Sequence, residues 1–301
     1  MIDQIKTDFE KIIKNSNLSE SDVKLKRKYL DNFIENGFPS RKLENWKFSD
    51  LNQIIKKNIG ELSFFYDNSH PNKIDTSIFI DGLEHNKIFF INGRIEKIDF
   101  NYEDQDKITI DGDYKFENKL NNSNSLLSLN NAFTNKCYKI SIKKDYVLNK
   151  PLIVYHTTNN KIKSKNINLK LEFQLEENSS FRLIDLFNDS AENNFVNIFY
   201  NFDLKKNSIL KNYKIDKMQN KNIKYSYNNI EQETNSVSET FIFSSGSNFS
   251  KNEVNCNLNG EYSSAFVNGI FSLHNEQQHE IRTIINHLVE NTKSYQLIKS
   301  V

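Results

Sequence analysis

Near the N-terminus, apolar residues recur with the period of a helix. Ile2, Ile5, Phe9, Ile12 and Ile13 fall on one face, so the spacing predicts a first helix with one buried stripe. A second should begin at Ser19, where "SESD" offers a capping box between Ser19 and Asp22. It continues through Tyr29, Leu30, Phe33 and Ile34 and stops at "NGFP". There Gly37 can take the left-handed cap conformation, and Pro39 follows. A third helix is predicted over Asp50 to Asn58, with Ser49 as N-cap and Gly60 just beyond its end.

After Glu61 the pattern changes to short strand-like runs: "SIFIDG", "KIFFINGRIEKIDF" and "KITIDGDY". "LLSLNNAF" (Leu126 to Phe133) reads as a short helix or turn. Strands then dominate: "CYKISI", "PLIVYH", "INLKLEFQL", "FRLIDLF" and "NIFYNFDL". The expected division is residues 1–61, helical; 62–134, mixed strand and loop; and 135–301, a repeating β region.

That last region carries a repeat. Ser179, Ser208, Ser236, Ser264 and Thr292 sit at polar corners spaced 28 or 29 residues apart, and Asn precedes the first three and the last. A fixed period with strands and no long helices implies stacked coils, each burying its apolar face on its neighbours. Asn suits such corners because it tolerates positive φ. Counting eight residues back from each corner aligns Leu171, Tyr200, Asn228, Cys256 and Ile284 in one column. Alternation adds Phe173, Leu175, Phe202, Leu204, Val254 and Leu258 to the inward face. The expected fold is mainly β: a right-handed parallel β-helix preceded by a small N-terminal helical region.

Between the second and third helices lies "GFPSRKLENWKFSDL", which holds the single Trp, Trp46. Its setting predicts an anchor that packs the joint, with Arg41 and Glu44 spaced to pair across a turn.

Charge adds little direction. Lys and Arg number 40 against 39 Asp and Glu, so nothing favours nucleic acid or an anionic membrane as partner. "KLKRK" (Lys24 to Lys28) reads as a solvated helix face. No apolar run reaches the ~20 residues of a membrane span, and "MIDQIKTDFEKII" is not a signal peptide, so the expected setting is cytoplasmic. Phosphate loops, HExxH and nucleophile elbows are absent. Cys137 and Cys256 lack ligand spacing, and Cys256 reads as a small core residue. The histidines are His70, His85, His156, His274, His279 and His287. His287 is the one candidate metal ligand, weighed against an ordinary outward-facing surface histidine with Leu288 turned inward. Asn286 fits that inward register poorly, which allows a one-residue slip in the last coil.

Several segments resemble one family. "GFPSRKLENWKFSDL" is similar to the N-terminal signature of SufD proteins at Gly37, Pro39, Arg41, Glu44, Trp46, Lys47, Phe48, Ser49, Asp50 and Leu51. "FFINGRI" resembles the family's "FVNG" strand, and "LLSLNNAFTNKCYKISIKKDYVLNKPLIVYH" its first β-helix segment. "INHLVENTKSYQLIKSV" resembles "DHxxPxCTSxxLxKGV", with Asn286 for Asp, Glu290 for Pro and Thr292 for Cys.

The resemblance implies a non-catalytic scaffold subunit of SUF iron–sulfur cluster assembly. Such subunits pair with SufB through their β-helices and bind the SufC ATPase through a C-terminal helical domain. A nascent Fe–S cluster would pass transiently through the complex interface, and no cofactor would be held tightly by this chain. The family pattern continues past "KSV" with further coils, a Cys-Ser-His-Gly-Ala-Thr segment and the ATPase-binding helices, so the expectation is a C-terminally truncated member. The alternatives are the paralogous SufB-type scaffold and a β-helix polysaccharide-active enzyme. The latter would need clustered carboxylates on one outer face.

Overall fold

The computed structural model describes residues 2–65, 74, 76–112, 124–134, 136–158, 162–189, 193–218, 221–274 and 276–301. His70 and the end of "KITIDGDY" lie outside the described residues. Three helices open the chain: α1 (Ile2–Lys14), α2 (Glu20–Asn36) and α3 (Leu51–Asn58). Ser19 caps α2 by accepting from the Asp22 N–H, and Gly37 ends it at φ 67° with its N–H on Phe33 O. The predicted cap of α3 moves by one residue. Asp50, not Ser49, accepts from the Gln53 N–H, while Ser49 is buried.

Two sheets follow. One contains β1 (Asn86–Ile91), β2 (Arg94–Asp99), β5 (Leu152–Thr157), β7 (Ser180–Asp189), β9 (Ile209–Met218), β11 (Val237–Ser245), β13 (Ser264–Ser272) and β15 (Lys293–Ser300). The other contains β3 (Ile108–Asp111), β4 (Cys137–Ile142), β6 (Asn166–Leu175), β8 (Phe195–Leu204), β10 (Ile223–Gln232), β12 (Phe249–Leu258) and β14 (Gln278–His287). From β4 onward the chain alternates between the sheets, and each strand pairs in parallel with the strand two places later. That is a β-solenoid. The antiparallel β1–β2 hairpin and β3 close its first end. The hairpin turns at Asn92-Gly93, both at positive φ, as a two-residue loop requires. "SIFIDG" forms no strand: Thr76–Ile78 is a 3-10 turn. Phe79 instead packs on Phe89 and Tyr155, and the Ile80 N–H donates to Tyr155 Oη.

The corners show why the repeat exists. Asn178, Asn207, Asn235 and Asn291 all lie near φ 60°, where Asn is tolerated far better than most residues. Ser179, Ser236 and Thr292 then fold their hydroxyls back onto the carbonyl three residues earlier. The fourth corner is Tyr262-Ser263, one residue before the expected Ser264. An extra residue enters the preceding turn at Gly260, where a Cβ would lie 2.0 Å from the Thr234 backbone nitrogen.

This insertion and the earlier corner together correct the expected columns. Tyr200 and Asn228 continue into Val254, whereas Cys256 stacks on Ile230 and under Ile285. The offset is two residues, so Cys256 still faces inward and is fully buried. In the last coil the slip turns His287 into the inward column of Leu175, Leu204 and Leu258, and Leu288 outward.

A fourth helix, α4 (Ser125–Phe133), lies on the outer face of the second sheet. Asn130 Nδ2 donates to the carbonyls of Leu169 and Asn197. Lys26 Nζ donates to the Asn131, Ala132 and Thr134 carbonyls at the end of α4. Trp46 is buried, but it does more than pack a helix joint. Its indole stacks on Phe249 at 6.2 Å and lies 5.7 Å from Tyr225, with Lys251 Nζ 4.6 Å from the ring. It fastens the helical region to the solenoid wall.

Trp46→Ala should therefore cost about 3–5 kcal/mol, and Trp46→Phe less, read as a graded fall in Tm with unchanged far-ultraviolet circular dichroism. An alanine variant that melts like the wild type would contradict this anchoring role. At a corner, Asn207→Ala should cost roughly 1–2 kcal/mol through left-handed strain, and Asn207→Gly less. Equal stability of the two variants would remove strain as the explanation.

Candidate functional site

Alternation along β5 sends Leu152, Val154 and His156 inward. Register then stacks Asp185 and Lys214 beneath Val154, and Phe187 and Asp216 beneath His156. From the opposite sheet Tyr200 and Lys224 reach the same space. The result is a charged cluster inside the solenoid, every member of it buried.

Its bonds are specific. Asp185 Oδ2 accepts from Lys214 Nζ at 2.5 Å. Asp185 Oδ1 accepts from Tyr200 Oη at 2.7 Å and faces His156 Nε2 at 2.7 Å. Tyr200 Oη lies 2.9 Å from the same Nε2. Lys224 donates to Asp216, whose second oxygen accepts from Asn252 Nδ2. Lys224 Nζ also sits 3.9 Å from the centre of Phe187, and Lys214 Nζ 4.3 Å from that of Tyr200. Two carboxylates thus meet two ammonium groups. Removing one partner of such a pair costs about 3–5 kcal/mol, because a buried charge is left alone.

Electrostatics follow from burial and pairing. Burial alone would raise the Asp185 carboxyl. The Lys214 ammonium, then His156 and Lys224, overcome it and hold the carboxyl well below the usual range. For His156, burial outweighs the pull of Asp185 and keeps the imidazole neutral. His279 is lowered by burial too. Its Nδ1 lies 2.9 Å from Ser244 Oγ and its Nε2 2.9 Å from Ser247 O.

The residues singled out in the sequence lie elsewhere. Gly37 and Asp50 are helix caps, Pro39 accepts the Leu51 N–H through its carbonyl, and Leu51 is buried. Glu44 pairs with Lys47 at 3.3 Å and not with Arg41. Arg41 instead lines a cavity of about 410 Å³ between α3 and the solenoid, with Asp50, Gln53, Lys57, Glu276 and Gln278. His287 sits at the outermost coil with Nδ1 2.6 Å from Thr292 Oγ1 and Nε2 3.0 Å from Ser294 Oγ. Both ring nitrogens meet hydroxyls there. Among the described residues no three His, Cys, Asp or Glu converge on a common point. Burial pushes both thiols up to about 12, far from the thiolate that binds metal. Sequence reasoning missed Asp185, Lys214, Asp216 and Lys224. The available signal was polar residues at inward positions of "FRLIDLF" and "NYKIDKM".

Residues 156–301 match the family described as SUF system FeS cluster assembly, SufBD core domain. The match supports the SufB/SufD family and a role in SUF iron–sulfur assembly, and it does not separate the two branches. No curated protein matches the chain. Among the described residues no helix is long and apolar enough to cross a membrane.

The histidines fix a pH dependence. His156 and His279 have folded pKa values below their unfolded value of ~6.5, so unfolding takes up protons there. Their contribution to stability is complete above pH ~6.5 and falls as pH drops below it. Urea midpoints should decline between about pH 7.5 and 5.5 at constant m, and His156→Gln/His279→Gln should flatten the decline. A level wild-type profile would show that neither histidine is held neutral.

Proposed function

We propose that the chain is a non-catalytic scaffold subunit of SUF iron–sulfur cluster assembly, of the SufD type, pairing with SufB and served by the SufC ATPase. The observation that carries the reading is the SufBD core match over residues 156–301. It coincides with the solenoid from His156 to its last coil. The SufD branch is favoured by the Trp46 signature, which lies outside the matched segment and whose residues cap, anchor and orient the helical region.

Pairing would use the β-solenoid, which the matched segment spans. SufC would engage a region outside these 301 residues. The nascent cluster is cargo in this reading. The two protonated thiols, Cys256 buried and Cys137 half-buried, make poor ligands for it, so the cluster would depend on partner groups at the interface.

The test is co-expression with tagged SufB and, separately, tagged SufD from the same source. A SufD-type chain should co-purify with SufB. Selective capture by SufD would assign the chain to the SufB branch, and capture by neither would refute the scaffold reading. In parallel, anaerobic reconstitution of the chain alone with iron and sulfide, followed by desalting, should leave no stoichiometric charge-transfer absorption. A stable cluster lost in Cys256→Ala would contradict the inward register of that thiol.

A further inference from the structure

The two outer faces of the solenoid are finished differently. On the sheet of β6, β8, β10 and β12, outward Phe195, Phe199, Tyr225 and Phe249 are sealed by α4 and Trp46. α4 lies across these strands: Asn124 Nδ2 donates to Tyr225 Oη on β10, and Asn130 Nδ2 reaches carbonyls on β8 and β6. On the opposite sheet only the first coils are sealed. There Phe79 packs on Phe89 and Tyr155, in a cluster that extends to Ile184 and Ile215.

Beyond that cluster the apolar face continues. Alternation turns Tyr213, Phe241, Phe243, Phe266 and Ile270 outward. Register sets them in line, with Phe241 beside Tyr213, Phe243 beside Ile215 and Ile270 beside Phe243. Each keeps part of its side chain in solvent, Tyr213 at 38 %, and among the described residues none joins a covered cluster. A contiguous exposed patch of this kind marks an interaction surface.

Its flanks are basic. On one side Arg182 pairs in register with Lys211, and Lys211 with Glu239, whose carboxylate lies 3.2 Å from the ammonium. On the other stands Lys217, beside Ser245. Glu239 is the one carboxylate at an outward position of β7, β9, β11 and β13, so Arg182 and Lys217 form no ion pair with a described residue. Like charges in direct register repel until an anion joins them. A second copy of this chain would bring the same cationic flanks and add like-charge contacts. An acidic partner would relieve them. Its shape follows from spacing. Coils repeat every ~4.8 Å, close to the ~5.4 Å pitch of an α-helix. A helix laid along the stack, as α4 is on the other sheet, presents one apolar residue to each coil. Crossing from β7 to β13 spans about 14 Å, or roughly ten helical residues.

We propose that the outward face of β7, β9, β11 and β13 docks an amphipathic helix of a partner protein, apolar on one side and acidic along both flanks, independently of the scaffold reading.

The test is fluorescence anisotropy of the full chain with two labelled peptides of about 18 residues, long enough to hold a helix. Both carry leucines at helical spacing; one is flanked by glutamates and the other by lysines. The glutamate peptide should bind saturably, at least about 10-fold tighter than the lysine peptide, and more weakly as salt rises. Phe241→Ser/Phe243→Ser should weaken it at least about 10-fold. Arg182→Glu/Lys217→Glu, which leaves the apolar face intact, should reverse the preference between the peptides, and it decides alone if the serine variant melts early. Failure of the glutamate peptide to bind, equal affinity for both peptides, or affinity unchanged in the folded variants would overturn the proposal. So would sedimentation of the wild-type chain as a dimer that Arg182→Glu/Lys217→Glu alters, which would give the face to a second copy.

Discussion

The parallel, in-register stacking of one coil on the next is the constraint on which the rest of the structure depends. Each strand pairs residue for residue with the strand two places away, so a side chain's depth in the molecule is set by its neighbour in the previous coil. Left-handed corners keep that register by turning the chain at matched places. The same stacking aligns outward amides: Asn229 Nδ2 donates to Asn201 Oδ1, and Asn255 Nδ2 to Asn229 Oδ1. Such ladders tie coils together without an apolar outer face.

The charged interior is a consequence of the same register. Asp185 lies over Lys214 because β7 and β9 pair there, and the opposing sheet brings Tyr200 across. Buried ion pairs seldom stabilise more than apolar residues of similar size would. What this cluster provides is definition. Every proton position around His156 follows from its partners, and the ring is clamped on both faces. The consequence is a rigid solenoid interior with one basic nitrogen left over.

Much of this was legible in the sequence. Helical period marked α1 and α2, Gly37 marked a cap, and the spacing of Asn-Ser corners marked the solenoid. The missed parts were those decided by contact at long range. Ser49 and Asp50 are both good caps, and only the fold decided between them. The extra residue at Gly260, together with a corner one residue earlier than expected, shifted the inward columns by two residues, which kept Cys256 inside but moved its partners. The last turn likewise holds one residue more than expected, which reversed the orientation of His287 and Leu288. The Asp185 cluster could not be assembled from spacing, because its members come from different coils and both sheets.

The central proposal is that the solenoid serves as a pairing platform while its interior stays fixed. Hydrogen–deuterium exchange read by mass spectrometry, on the chain alone and bound to SufB, tests it most directly. The account predicts new protection on the solenoid strands and none on the N-terminal helices, with exchange around His156, Asp185 and Lys214 unchanged. Protection confined to the N-terminal helices, or loosening of the interior on binding, would contradict it.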